Sequence, residues 1–203
     1  MTPILLNQLR NLISSSLISK LSKRFDETET LLKKTVETSI CTVLIGLSTI
    51  IENRHIYDKV IESITGSEFY TSLSLENGKL TSINSSFERE GSLPLNLIFS
   101  NKKGRISEMI SNEIGIKSET AHAVLNLAVM VTFSHFLSEK QKAKNIQPAL
   151  NDQKKLILST IPEGIRVILG YSNFECEEEI SPSSNPLVTS NFTASLLHKF
   201  FKL

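Results

Sequence analysis

Apolar positions fall at helical spacing almost from the start of this chain. Leu5, Leu9, Leu12, Ile13, Leu17 and Leu21 recur every three to four residues, and Pro3 after Thr2 suits a first helical turn. Residues 4 to 24 therefore read as one or two amphipathic helices, with a break at Ser14, Ser15 and Ser16. The next helix is expected from Asp26 or Thr28 through Leu32, Val36, Ile40, Leu44 and Leu47 toward Ile51. It starts amphipathic and turns almost wholly apolar, so its second half belongs at the centre of the protein. His55 to Ile64 predicts a short helix ended by Thr65 and Gly66. Residues 67 to 91 are polar around an Asn77-Gly78 pair, and Leu73, Leu75, Leu80 and Ile83 flank it in a pattern open to a small hairpin or an irregular loop.

The second half follows the same order. A short helix over Leu93 to Phe99 precedes one over Lys102 to Ile114, a turn at Gly115, and a long helix from Ser118 to about Lys144. Ser118, Glu119 and Thr120 supply its cap and first-turn acid. Beyond Pro148 a helix is expected from Leu150 to Ile161, and Pro162 then opens a further turn or two ending at Gly170. An internal repeat shows: Ile18 and Ser19 match Ile106 and Ser107 at an offset of 88, and Glu29 and Thr30 match Glu119 and Thr120 at 90, the difference falling in the turn. The expected fold class is all-α: duplicated helix-turn-helix-like units over about 15–65 and 93–145, packed as a multi-helix bundle with a closing helix at 150–169. That domain spans residues 1–172, with a flexible C-terminal tail over 173–203. Two apolar helices, one per unit, can bury each other.

The tail begins with the acidic, Ser- and Pro-rich run ECEEEISPSSNPLVTSN, which has linker composition. It ends in FTASLLHKFFKL, where Phe192, Leu196, Leu197, Phe200, Phe201 and Leu203 form one apolar face beside Lys199 and Lys202. These six are the candidate partner-docking residues. Folding back on its own domain, docking in a protein groove and lying on a membrane are the three outcomes; two lysines attract anionic lipid weakly, by about 1 kcal/mol each, so the membrane ranks last.

The stretch LPLNLIFSNKKGRISEMISNEIGIKSETAHAVLNLAVMVTF, with the later helix ending in IPEGIRVILG and the upstream KRFDETETLLKKTVETSICTVLIGLS, resembles the YidB-like bacterial family of unknown function, over about residues 15 to 170. The resemblance implies an all-helical fold containing a duplicated unit and carries over no catalytic or binding residue. Some relatives continue into an envelope-binding domain of the OmpA type; here an envelope link would need a separate partner.

Charge adds little direction. The 22 Lys and Arg against 21 Asp and Glu leave +1, which gives no global pull toward nucleic acid or anionic membrane. Leu, Ile, Val and Phe make up 67 of 203 residues, ample for a core. Cys41 and Cys176 form neither a disulfide framework nor a metal site, and with no secretory leader read at the N-terminus the expected location is cytoplasmic. The longest uncharged runs, Thr38 to Ile51 and Ala121 to Ser138, are 14 and 18 residues, shorter than the roughly 20 that span a bilayer.

The strongest local motif is a helix-turn-helix over Lys102 to Val124, with Lys102, Lys103 and Arg105 as candidate nucleic-acid contacts. Its second helix offers a groove almost nothing but Val, Leu, Ala, Met and Phe, with Asn126, Thr132 and Ser134 as exceptions, whereas base readout needs a polar face. Helical-hairpin packing is the better account. His122 and His135 lie 13 residues apart and cannot share an ion, and the run Glu175, Glu177, Glu178, Glu179 reads as solvated linker. No GxGxxG, P-loop, GxSxG or HExxH occurs. The expectation is a non-catalytic protein–protein interaction or assembly module acting on a protein partner or on itself, with no cofactor, metal or small-molecule ligand. Nucleic-acid binding is the alternative and an enzyme of unrecognised type the second alternative.

Overall fold

A computed structural model describes residues 5–72, 75–138 and 143–174. Helices take up 79 % of these residues, which form an all-α multi-helix bundle. The tail beyond Phe174, including the six candidate docking residues, lies outside them.

The first amphipathic stretch breaks where the serines stand. α1 (Leu5–Leu12) ends, Ser14 caps α2 (Ser15–Phe25) by accepting from Leu17 N–H at 3.0 Å, and the three-residue serine run is thus a cap and first turn. Thr28 caps α3 (Glu29–Ile50), and Asn53 caps α4 (Arg54–Thr65). A short α5 (Glu68–Thr71) follows, then the hairpin β1 (Leu75–Glu76) and β2 (Lys79–Leu80), paired Leu75 to Leu80 and Glu76 to Lys79. Asn77 and Gly78 both have positive φ, 52° and 74°, as a two-residue hairpin turn requires. Of the two readings left open for residues 67–91, the hairpin forms. It is held because Leu80 is fully buried and its carbonyl accepts from Ser14 N–H and Oγ.

α6 (Phe87–Glu90) and α7 (Ser92–Phe99) lead through one 3-10 turn, Ser100–Lys102, into α8 (Lys103–Ile114) and α9 (Ser118–Ser138). The long helix expected to reach Lys144 is described to Ser138. α10 (Ala143–Thr160) corrects the expected start after Pro148, since that proline sits inside it. It forfeits one backbone bond to the carbonyl four residues back. Burial of Ile146 and Leu150 on either side, with Ile157 a further two turns on, sets the helix regardless. α11 (Glu163–Leu169) closes the bundle at Gly170.

The repeat is real, but its register is 89 throughout, not 88 and 90. Asp26 and Gly115, 89 apart, end α2 and α8 in the left-handed region and donate back to Ser22 O and Ser111 O, also 89 apart. Each of those serines donates its hydroxyl at 2.6 Å to the carbonyl just past the turn, of Glu27 and of Ile116. α4 and α10 also begin 89 residues apart, and α1 shares α7's burial pattern at that offset through Leu9 and Ile98. The first unit therefore takes in α1 ahead of the expected 15–65, and the second takes in α10 beyond the expected 93–145. The two turns meet: Lys117 donates its backbone N–H to a Glu27 carboxylate oxygen at 2.9 Å, and its ammonium to Phe25 O and Asp26 O.

From that junction α3 and α9 start side by side and pack on each other, with α10 and α1 against α3, and α8, α6 and α4 against α9. From Thr38 to Leu47 and from Ala123 to Ser134 every residue is buried. α9 is long and apolar enough to cross a membrane, yet 83 % of that window is buried among its neighbours. Gly46 lets α7 come close to α3, since a Cβ there would lie 2.5 Å from Ile98 and Phe99.

Leu47→Asp or Val131→Asp places an unpaired carboxylate in the buried part of α3 or α9, at several kcal/mol against a domain stability of roughly 5 to 15 kcal/mol. Both variants are expected to lose the cooperative thermal transition in circular dichroism; a wild-type melting temperature would contradict the packing.

Candidate functional site

The repeated hairpins each carry a cleft in the same place, between their first and second helices. In the first unit the floor is Ile18 on α2 and Val36 and Ile40 on α3, with Ile13 at one end. Lys33 and the Arg10–Glu37 ion pair form its rim, and its volume is about 240 Å³. That is below the roughly 300 Å³ at which small-molecule pockets begin, and suits one or two protein side chains.

In the second unit Glu119, His122, Ala123 and Asn126, at helical spacing, present one face of α9. Gly104, Ser107 and Glu108 of α8 face them, and Glu88 of α6 closes the side of a cleft of about 420 Å³. Equivalent positions differ in character: Ile18 becomes Ser107, Lys33 becomes His122 and Glu37 becomes Asn126, so a floor isoleucine has given way to a serine, and a lysine and an ion-paired glutamate to an imidazole and an amide. Asn126 is fully buried, and neither Oδ1 nor Nδ2 has a partner among the described residues. Burial of an amide without partners costs about 1 to 3 kcal/mol. Burial, and next the charge of Lys103, hold the His122 imidazole below its ordinary pKa, against the smaller pull of Glu88. It is neutral at pH 7.

α6 is held in place by Glu90. Its carboxylate accepts from the backbone N–H of Glu68 at 3.1 Å and of Phe69 at 2.9 Å, tying α6 to the start of α5. Burial alone would raise the Glu90 pKa, but these two bonds, the Ser86 hydroxyl and the Arg89 charge bring it below the usual carboxylate value. Beside it, a Cβ on Gly91 would lie 2.6 Å from the Asn126 carbonyl, so only glycine lets the α6–α7 junction come this close to α9.

The residues singled out for nucleic-acid contact do not act together. Lys102 and Arg105 are exposed, while Lys103 is half-buried and donates to Ser92 Oγ at 2.8 Å, with burial lowering its pKa. The would-be recognition helix is α9, whose buried side chains reach no groove. Cys41 is fully buried, and desolvation raises its pKa to about 12. Among the described residues no group of three His, Cys, Asp or Glu side chains is placed to hold a metal ion. The sequence reading weighed His122 as a metal ligand and Asn126 as a polar exception, each separately, although Glu119, His122 and Asn126 at i, i+3 and i+7 were a legible polar stripe on an otherwise apolar helix. No family model, no curated protein and no solved structure matches the chain.

Two outcomes follow from these side chains. Glu90→Gln should lose about 1 kcal/mol at pH 7 in chemical denaturation. Because the folded-state pKa is lowered, the wild-type advantage is present above the unfolded value near 4.5 and vanishes as pH falls through the folded value; a difference that persists at pH 2 contradicts the assignment. In a Cys176→Ser background, Cys41 should stay unmodified by Ellman's reagent until the protein unfolds, and rapid reaction in native buffer would place that thiol at the surface.

Proposed function

We propose that this chain is a non-catalytic protein–protein interaction or assembly module of the cytoplasm, with the segment Phe192 to Leu203 as its docking element. The observation that carries the reading is the first-unit cleft. Its floor of Ile18, Val36 and Ile40, with Ile13 at one end and a rim of Lys33, Arg10 and Glu37, can take one or two apolar side chains from the face of an amphipathic helix. The C-terminal segment supplies such a face, with six large apolar residues in twelve. The 17 residues from Glu175 to Asn191 have linker composition, and a random coil of that length would span roughly 20 to 25 Å, enough for docking within or between chains. Membership of the YidB-like family is part of the same proposal and rests on the stretches quoted above.

The test removes residues 190–203 and compares oligomeric state by light scattering, melting temperature, and recovery of a synthetic 190–203 peptide by the truncated chain. Saturable peptide binding, weakened by Lys33→Glu and by Ile13→Ser, is expected. If the peptide does not bind, and oligomeric state and melting temperature are unchanged, the docking role is wrong.

A further inference from the structure

The second-unit cleft stands apart from the first, on the other hairpin, and its chemistry points elsewhere. Its side chains leave two needs unmet. Asn126, at its deep end, is fully buried with both polar atoms unpartnered among the described residues. Around it stand Glu88, Glu108 and Glu119, of which Glu88 already accepts from Arg24 at 2.6 Å, while Glu108 and Glu119 form no ion pair among the described residues. His122 adds no positive charge to the cleft, and Lys103, whose charge reaches His122, is tied to Ser92 Oγ at 2.8 Å.

The first unit shows what fills the equivalent place. There the residue matching Asn126 is Glu37, and the guanidinium of Arg10 on α1 reaches across and pairs with it. The second unit cannot do the same from within. The position matching Arg10 is Phe99, and its ring is turned onto Gly46 of α3.

We propose that the cleft between α6, α8 and α9 binds the guanidinium group of an arginine side chain. The planar, multi-donor head satisfies the Asn126 Oδ1 acceptor at the floor, and its charge is met by Glu119 and Glu108 at the mouth. A volume of about 420 Å³ admits the head and its alkyl stem. An ammonium has the charge but lacks the fork of donors, so lysine binds less well.

The probes are Nα-acetyl-arginine amide, the tripeptide Gly-Arg-Gly with blocked ends, and Nα-acetyl-lysine amide, titrated into the full chain while the His122 ring and Asn126 side-chain amide signals are followed by NMR. Saturable shifts with the arginine probes, at least about threefold weaker for lysine, are expected. Saturation by the tripeptide alone also supports the site and assigns it to polypeptide arginine. Asn126→Leu, close in volume and free of the buried amide, should keep its fold and bind about tenfold more weakly. Glu119→Gln, at an exposed position, should weaken binding about threefold. Absence of saturation with both arginine probes, or unchanged affinity in Asn126→Leu and Glu119→Gln, overturns the proposal. Neither result bears on the first-unit cleft or the C-terminal segment.

Discussion

Two helices without a polar side cannot both face water, and the whole arrangement follows from covering them. α3 and α9 bury nearly every residue over three turns each, and each can lend the other only one face. The remaining faces need a jacket, which the amphipathic helices supply: α10 and α1 over α3, and α8, α6 and α4 over α9. The duplicated order makes this economical, because each unit brings one apolar helix and a last helix that covers the other unit's: α10 lies on α3, and α4 on α9. The junction of Glu27 with Lys117 fixes where the pair begins, so that equivalent turns meet at one end of the bundle.

The duplication also explains why the clefts are comparable and why they differ. Both lie where the first and second helices of a hairpin diverge over their outer turns. In the first unit the residues there are isoleucine, valine and a closed ion pair; in the second they are serine, histidine, an unpartnered asparagine and three glutamates. One backbone plan thus holds two surfaces of different chemistry. That difference, rather than the fold, is where a functional reading has to start.

Much of the fold was legible because apolar periodicity is strong over long helices. The breaks at Ser14 and Gly115, the central place of residues 38–47 and 123–134, and the turn at Asn77-Gly78 all follow from local chemistry. What failed were features set by distant packing. Pro148 lies within α10 because Ile146 and Leu150 are both buried, which local propensity does not register. The 89-residue register was missed because the equivalence lives in caps and burial, with Ser22 and Ser111 an identity that the two mixed offsets passed over. Asn126 and His122 were visible as a polar stripe, but only the placement of α6 and α8 against α9 turns that stripe into a cleft.

The central claim is that α3 and α9 are one cooperative contact, so neither opens without the other. Native-state hydrogen exchange across a denaturant series tests it directly. Amides of residues 38–47 and 123–134 should share one opening free energy, equal to that of global unfolding. If one helix exchanges through a partial opening at clearly lower free energy while the other stays protected, the mutual burial of the two helices does not hold this fold together.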